Sequence, residues 1–263
     1  MAASLLTDRI DDVVVLKIAN PMQRNALSAE ICAAAVEVFN VLGDDASVAA
    51  IVLTGQGEHF CSGSEPGRLR QMLAQDDTVQ AEAFKLLGSW VEAIRLCEKP
   101  VIAAVEGAAV NAGCALALAC DLIVAAEQAQ FSLTYSQLGL STDSGVSWLL
   151  SRRLPQAIVF EMAVLAHPMS GARLAHLGAV NKVCDKGKAL QEALWLAQEL
   201  AQGPREVIAS IKQLLSDELQ GRPLAEYLNT ECDVFFRHLF AADAKEGLQA
   251  FLENRPARFS KKA

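Results

Sequence analysis

Basic residues are scarce relative to acidic ones in this sequence. The chain carries 23 Lys and Arg residues against 31 Asp and Glu residues, which gives a net charge of −8. Nucleic-acid binding requires clustered Lys and Arg to neutralise phosphates, so the composition argues against nucleic acid as a partner. No apolar run free of charge approaches the length that spans a membrane. The N-terminal segment has neither a basic region nor a long apolar stretch, so we expect no signal peptide and a cytoplasmic location.

Motifs for metal binding and nucleophilic catalysis are also missing. No cysteine pair has metal-ligand spacing, and no histidine has a spaced partner for a metal or a catalytic triad. Ser64 lies in Ser62-Gly63-Ser64-Glu65, which is not a G-x-S-x-G nucleophile elbow. Six cysteines lie in apolar or small-residue runs and are expected to be buried, reduced thiols: Cys32, Cys61, Cys97, Cys114, Cys120 and Cys184. We therefore expect no metal in this protein.

Apolar residues are abundant, at 52% of 263 positions, which predicts a globular protein with a substantial core. Strand and helix patterns alternate up to Leu149, whereas helical patterns predominate after it. We therefore predict an α/β core followed by a helical C-terminal region. The boundary is placed at residue 200, with the core at 1–200 and the helical region at 201–263.

Individual elements are predicted from apolar periodicity and from breaker residues. In the first half, strands are expected at residues 5–8, 13–18 and 49–54, and helices at 28–42 and 78–97. Ser28 is suited to cap the first of these helices. In the second half, helices are expected at residues 155–165, 171–177, 190–201, 204–219 and 224–241, with one strand at 179–184.

The segment 100–149 carries the strongest functional signal. Residues 101–105 form an apolar run bounded by Pro100 and Gly107, which predicts a buried strand. A small-residue loop at 107–113 leads into residues 113–120, which have no polar face and predict a helix buried on all sides. A second buried strand (121–126) follows, and then a polar turn that contains Asp143. Free N–H groups at a helix start inside an apolar shell can bind a developing negative charge.

Short motifs occur in a characteristic order along the chain. They are Asn20-Pro21, Asn25-Ala26-Leu27, IVLTG at 51–55, FCSGS at 60–64, KPVIAAVEG at 99–107, CDL at 120–122 and FLENRP at 251–256. In this order and spacing the sequence resembles the crotonase superfamily, the enoyl-CoA hydratase/isomerase family. The resemblance covers about residues 12–259.

This resemblance implies an α/β, ClpP-like spiral of ββα turns that binds acyl-CoA. It also implies a C-terminal helical trimerisation region and a homotrimer or a dimer of trimers. The implied substrate is an acyl-CoA thioester, with coenzyme A as part of the substrate and no separate cofactor. By position, the implied oxyanion hole uses the backbone N–H groups of Ser64 and Ala112.

The sequence departs from the family pattern next to each of the two oxyanion donors. Where the family usually has three glycines before the helix, this chain has Asn111-Ala112-Gly113. After the first donor it has Glu65 in place of the usual Asp. Alanine still supplies an N–H, but it cannot adopt a glycine-only conformation.

The type of reaction is predicted from the acidic residues at the expected catalytic positions: two that are absent and one that is present. Hydratases of the family use two glutamates, and this chain has Ala115 and Tyr135 in their places. Hydration needs groups that deprotonate water and protonate carbon, so hydratase activity is not expected. Asp143 resembles the lone catalytic acid of a branch of Δ3,Δ2-enoyl-CoA isomerases and of ring-opening isomerases. We therefore predict an isomerase with Asp143 as its acid/base, and with Tyr135, Gly113 and Leu140 lining the substrate pocket.

Three alternatives stay open on the sequence alone. Asp143 could cap a helix or a turn, which is the commonest role of Asp in a segment of Ser, Thr and Gly. The reaction could be dehalogenation, hydrolysis or atypical hydration of a CoA thioester, although for dehalogenation Tyr135 replaces the expected Trp and Gly88 the expected His. The chain could also be a catalytically silent CoA-binding or scaffold protein.

Overall fold

A computed structural model describes residues 3–64, 67, 77–216 and 221–260 of the chain. Its strands form a six-stranded sheet of order β1-β2-β3-β4-β6-β9 and a three-stranded sheet of order β5-β7-β8. β1 and β2 form an antiparallel hairpin, and the larger sheet is parallel from β2 to β9. The strands are β1 (Ser4–Ile10), β2 (Val13–Ala19), β3 (Ala50–Gly55), β4 (Val101–Val105), β5 (Ala108–Val110), β6 (Leu122–Ala126), β7 (Gln130–Ser132), β8 (Met169–Ser170) and β9 (Lys182–Cys184).

Helices connect the strands and make up most of the chain after β9. They are α1 (Ala29–Asp44), α2 (Asp77–Leu96), α3 (Ala112–Ala119), α4 (Val146–Ser151), α5 (Gln156–Val164), α6 (Gly171–His176), α7 (Ala189–Ala201), α8 (Arg205–Leu214), α9 (Leu224–Leu239) and α10 (Ala242–Leu252). Ser28 caps α1, because its side chain accepts a hydrogen bond from Ile31 N. Within the ranges described above, no helix combines the length and apolar character needed to cross a membrane.

The larger sheet is covered on both faces. β3 and β4 are apolar and inaccessible to solvent along nearly their whole length, as is typical of parallel strands between two layers. One face packs against α1, α2 and α3. The other face is closed by α7, whose Ala189, Ala193 and Ala197 are fully buried against it. The four-residue spacing puts these alanines on one side of the helix, and their small size brings the helix close to the strands.

Two consecutive units each place one strand in each sheet. β4 lies in the larger sheet and β5 in the smaller one, and β6 and β7 repeat this arrangement. Gly107 joins β4 to β5 with φ 51°, and a Cβ at this position would lie 2.2 Å from Glu58 O. Glycine is therefore required for the chain to pass from one sheet to the other. Because α3 follows β5, the unit is the ββα turn that the resemblance implies.

The structure differs from the sequence-based expectation at residues 107–113, where a loop is expected. Ala108–Val110 forms β5, which pairs in parallel with β7. Nothing in the sequence pattern predicts β7, β8 or α10. The three strands of the smaller sheet are two or three residues long, so no period-2 alternation can develop, and their partners are distant in the sequence.

α8 is fastened to the core by two ion pairs. Arg205 Nη2 lies 2.6 Å from Asp12 Oδ2, and Lys212 Nζ lies 2.7 Å from Asp121 Oδ2. α9 and α10, in contrast, bury few side chains. They leave large apolar residues exposed: Leu224, Leu228, Phe235, Phe240, Leu248 and Phe251. A group of exposed apolar side chains like this one is typical of a site that contacts another protein.

Candidate active site

The first predicted oxyanion donor, Ser64, follows a segment held between two parts of the core. Leu27 N donates to Gly63 O at 2.9 Å, and Cys61 exchanges hydrogen bonds of 2.9 Å with β5. This pairing uses the Gly63 carbonyl and leaves the Ser64 N–H without an acceptor in the described parts of the chain. Gly63 has φ 85°, and a Cβ at this position would lie 2.8 Å from Val110 O. Glycine is thus needed to bring Ser64 alongside the end of β5.

The second predicted donor, Ala112, is the first residue of α3. Its N–H has no acceptor within the helix, as is general for first-turn amides, and no other acceptor is found among the described residues. α3 is buried along its whole length, so this amide lies in an apolar environment. The two donors are neighbours, because a Cβ built on Gly63 would lie 3.6 Å from Ala112 N. Adjacent, unpaired amides are the groups that stabilise an oxyanion.

The unusual backbone conformation at the start of α3 lies at Asn111, not at Ala112. Asn111 has φ 50° and ψ −115°, whereas Ala112 does not have a positive φ. The Asn111 side chain donates to Thr134 Oγ1 at 2.9 Å and accepts from Thr134 N at 2.7 Å. Ala112 therefore does not need a backbone conformation that only glycine adopts. The positive φ lies at Asn111, which its hydrogen bonds to Thr134 hold in place.

Gly113 lies in the first turn of α3 and packs against the segment that leads to Ser64. A Cβ at Gly113 would lie 2.3 Å from Cys61 O. The absence of a side chain therefore sets how closely the helix start approaches that segment. Gly113 is not among the residues that line the cavity described below, although the sequence predicts it there. Its contact with Cys61 is the reason, since that contact directs it into the core.

Asp143 accepts hydrogen bonds from two hydroxyl groups. Tyr135 Oη donates to Asp143 Oδ1 at 2.5 Å, and Ser144 Oγ donates to the same oxygen at 2.8 Å. Burial, and then the charge of Asp143, raise the pKa of Tyr135 well above its usual range, so the phenol stays protonated and donates. Gly145 occupies the cap position of α4, and within the described residues the Asp143 side chain accepts no hydrogen bond from that helix. The structure therefore does not support a helix-capping role for Asp143.

Ser64 and Asp143 line the same cavity, which has a volume of about 240 Å³. The lining residues come from the end of the Ser64 segment, the start of α3 and the loop before α4: Ser64, Asn111, Tyr135, Leu138, Leu140, Ser141, Thr142 and Asp143. Among the described residues, Asp143 is the one acid in this lining. Leu138 and Leu140 form an apolar wall. Ala112 itself is buried, directly after the lining residue Asn111.

The two positions that carry glutamates in the hydratases hold no acid in this chain. Ala115 is fully buried in α3, and Tyr135 is buried at the cavity beside Asp143. Glu65, which follows the first donor, lies outside the described residues. In the part of the chain that the structure describes, no group of three or more His, Cys, Asp or Glu residues could hold a metal ion.

Sequence reasoning missed Thr134, Ser144 and the contact of His59. His59 Nδ1 accepts a hydrogen bond from Ala108 N at 3.2 Å and so helps to hold β5 in place. Thr134 and Ser144 are hydroxyl residues that stand next to Tyr135 and Asp143 in the chain. A hydroxyl beside a candidate acid is a local signal, because such side chains often bond to groups nearby in sequence. The partner of Thr134, in contrast, is set by the tertiary fold.

Comparison with known proteins identifies the family. The family profile described as enoyl-CoA hydratase/isomerase matches residues 8–262, nearly the whole chain. The chain belongs to the enoyl-CoA hydratase/isomerase family. The substrates of this enoyl-CoA hydratase/isomerase family, also called the crotonase family, are acyl-CoA thioesters. This chain is accordingly an acyl-CoA-processing enzyme of that family.

Similar members of the enoyl-CoA hydratase/isomerase family carry different reaction names. The mitochondrial enoyl-CoA hydratase of Pongo abelii is 30% identical over 94% of this chain and 83% of that protein. The 1,2-epoxyphenylacetyl-CoA isomerase of Escherichia coli K12 is 31% identical over 95% of both chains. The crystal structure of an enoyl-CoA hydratase from Polaromonas sp. JS666 has a TM-score of 0.94 and 40% identity, covering 98% of this chain and 100% of that one. The predicted α/β crotonase fold with a C-terminal helical region is confirmed.

Proposed function

We propose that this chain is an enoyl-CoA isomerase that converts a 3-enoyl-CoA thioester into a 2-enoyl-CoA thioester. Asp143 is the proposed acid/base. The observation that carries this proposal is the position of Asp143: of the described residues that line the cavity, it is the one acid, and Ser64 lines the same cavity. A double-bond shift needs one group to remove a proton and return it, so a single carboxylate is sufficient.

The proposed reaction has two proton transfers. The Asp143 carboxylate removes a proton from C2, and the C–H electron pair moves into the C2–C1 bond. The π pair of the thioester C=O bond moves onto its oxygen, which gives an enolate. The N–H groups of Ser64 and Ala112 stabilise the negative charge on that oxygen. The protonated Asp143 then delivers the same proton to C4, where it is bound by the C3–C4 π pair. The C1–C2 pair moves to C2–C3, the oxygen pair re-forms the thioester C=O bond, and the carboxylate is restored. Loss of one such N–H donor costs about 10²–10³-fold in rate.

Hydration is less well supported, although several relatives are named hydratases. Adding water requires one group that deprotonates water and one that protonates carbon. Ala115 cannot do either, and Tyr135 is committed to Asp143 as a donor. The E. coli relative is named an isomerase and the Pongo abelii relative a hydratase, so family membership alone does not choose between the reactions.

The test is an assay with 3-enoyl-CoA substrates of several chain lengths. The absorbance of the conjugated 2-enoyl thioester measures product formation. Wild-type protein should form 2-enoyl-CoA and should not hydrate it when 2-enoyl-CoA is the substrate. Asp143→Asn should lower kcat by about 10²–10⁴-fold, the usual contribution of general acid–base catalysis. Asp185→Asn is the matched control, because Asp185 is exposed and does not line the cavity.

Other outcomes would overturn the proposal in distinct ways. Hydration of 2-enoyl-CoA without isomerisation would make the chain a hydratase. Release of halide or of free coenzyme A would indicate dehalogenation or hydrolysis. Tight binding of acyl-CoA in calorimetry, without turnover of any thioester, would indicate a scaffold protein.

The assembly and domain division belong to the same proposal. We propose a homotrimer or a dimer of trimers, with residues 1–200 as the acyl-CoA-binding core and residues 201–263 as the trimerisation region. The exposed apolar residues of α9 and α10, such as Phe235 and Phe251, support this assignment. Sedimentation velocity measures the assembly, and a monomer at micromolar concentration would contradict it.

A further inference from the structure

The Asp143 carboxylate is held asymmetrically, through one of its two oxygens. Tyr135 Oη and Ser144 Oγ both donate to Oδ1, at 2.5 Å and 2.8 Å. Two donors match the two lone pairs of a carboxylate oxygen, so Oδ1 has its full set of partners. In the described parts of the chain Oδ2 has no hydrogen-bond partner. The two oxygens of one acid are therefore in different chemical situations.

We propose that Tyr135 is a positioning residue, which, with Ser144, fixes the Asp143 carboxylate so that Oδ2 alone takes and returns the proton. This inference rests on the proposed isomerase function. Tyr135 and Ser144 do not touch the reacting carbons in this scheme; they act through Asp143. An acid that cannot rotate keeps one oxygen directed at the substrate during both proton transfers, which preserves the geometry that proton transfer requires.

Tyr135 is itself held firmly enough for this role. Its side chain is only 5% exposed, and its carbonyl accepts hydrogen bonds from Leu138 N at 2.9 Å and from Leu140 N at 3.0 Å. One residue thus anchors both the acid, through its phenol, and the cavity wall, through its carbonyl. Because burial raises the pKa of Tyr135, its hydroxyl keeps its proton and donates to the carboxylate throughout the working pH range.

Ser144 supplies the second donor from a strained position. Its φ is 52°, which is unfavourable for a residue other than glycine. Gly145 follows at the cap position of α4 with φ 70°, and Val146, the first residue of α4, donates from N to Asp143 O at 3.1 Å. The turn therefore fixes the Asp143 main chain, while the two hydroxyls fix its side chain.

The test compares Tyr135→Phe, which removes only the hydroxyl, with wild type in the 3-enoyl-CoA assay. We expect kcat to fall by about 10–10²-fold, while KM changes by less than about threefold, since the cavity wall is retained. A fall in kcat with a nearly unchanged KM is a signature that a loss of fold stability alone would not produce. Ser144→Ala should act in the same direction and serves as the test if Tyr135→Phe does not fold.

Tyr227→Phe is the matched control. Tyr227 is the other tyrosine of the chain, and its phenol donates to Leu214 O at 3.3 Å in the C-terminal helices. It should leave kcat and KM unchanged. If Tyr135→Phe matches wild type in both readouts while Asp143→Asn is inactive, the positioning role is overturned and the isomerase stands. If wild-type protein does not isomerise any 3-enoyl-CoA, the proposed function fails, and the positioning role fails with it.

Discussion

Asn111 and Thr134 exchange two hydrogen bonds at the start of α3. Asn111 Nδ2 donates to Thr134 Oγ1 at 2.9 Å, and Thr134 N donates to Asn111 Oδ1 at 2.7 Å. In addition, Asn111 N donates to Ser132 O at 2.9 Å. These bonds hold a non-glycine residue at φ 50°, which costs about 1–3 kcal/mol. The direction of the Ala112 N–H depends on the conformation of this preceding residue.

Substitutions at Asn111 should separate the cost of its backbone conformation from the value of its side-chain bonds. Asn111→Ala should lower the free energy of unfolding by about 2–4 kcal/mol, because two hydrogen bonds are lost and the positive φ remains. Asn111→Gly should be about 1–2 kcal/mol less harmful, because glycine adopts a positive φ freely. Urea unfolding measures both values. Equal losses would show that the backbone at this position is not strained.

Two helical glycines should respond in opposite ways to alanine. Gly113→Ala should lower kcat/KM for 3-enoyl-CoA by about 10²-fold, because its Cβ would meet Cys61 O at 2.3 Å and displace the Ala112 N–H from the oxyanion. Gly43→Ala, in α1, meets nothing within 4 Å and should stabilise the fold by up to about 1 kcal/mol. Steady-state kinetics and thermal melts test the pair. Full activity in Gly113→Ala would contradict the proposed second donor.

Lys212 should contribute strongly to the attachment of α8. Its Nζ contacts Asp121 Oδ2 at 2.7 Å and also donates to Lys99 O at 2.9 Å. The side chain is only 12% exposed. Lys212→Met should therefore lower the free energy of unfolding by about 2–4 kcal/mol, mainly because the Asp121 carboxylate loses its cation.

A double-mutant cycle with Asp121→Asn identifies the cause of that loss. The double variant should lose less than the sum of the two single variants, because no unpaired charge is then left in the core. Additive losses would show that the two side chains do not interact appreciably.

Acid should weaken the C-terminal segment through Glu246. Hydrogen bonds from the Arg255 side chain, and then from Arg258 N, lower the pKa of Glu246 from 4.5 to about 2. A carboxyl with a lower pKa in the folded state adds stability above its unfolded pKa, and that stability is lost as the pH falls through the folded pKa. The gap in stability between wild type and Glu246→Gln should thus be constant above pH 4.5 and shrink between pH 4.5 and 2. Thermal melts across this range measure the gap, and a gap that does not change with pH would contradict the assignment.

The sequence predicts the elements whose signal is local. β4 is recognisable because five apolar residues stand between Pro100 and Gly107, and α1 because Ser28 precedes an amphipathic run. β5 and β7 are not recognisable, because each has three residues and is a strand only when the other is beside it. Such pairing depends on the turn at Gly107, which brings the chain into the second sheet.

In the candidate site, too, some features can be predicted from the sequence and others depend on the tertiary structure. Asp143 and Ser64 can be singled out by position in the family motifs, and the structure places both at one cavity. The bonds that orient them cannot be read from the sequence. Asn111 and Thr134 are 23 residues apart, and Tyr135 reaches Asp143 across a turn whose shape is set by packing. The close packing of Gly113 against Cys61 is likewise not visible in the sequence.

The close fit of Ala189, Ala193 and Ala197 on the larger sheet has a consequence for biosynthesis. Until the ribosome has released α7, the strand residues on that side, such as Val52 and Ile102, have no cover and are exposed to water. A nascent chain of the first 185 residues therefore presents an exposed apolar sheet surface. Premature termination at this point yields a product prone to aggregate. Completion of the core around the larger sheet waits for a helix encoded in the last third of the chain.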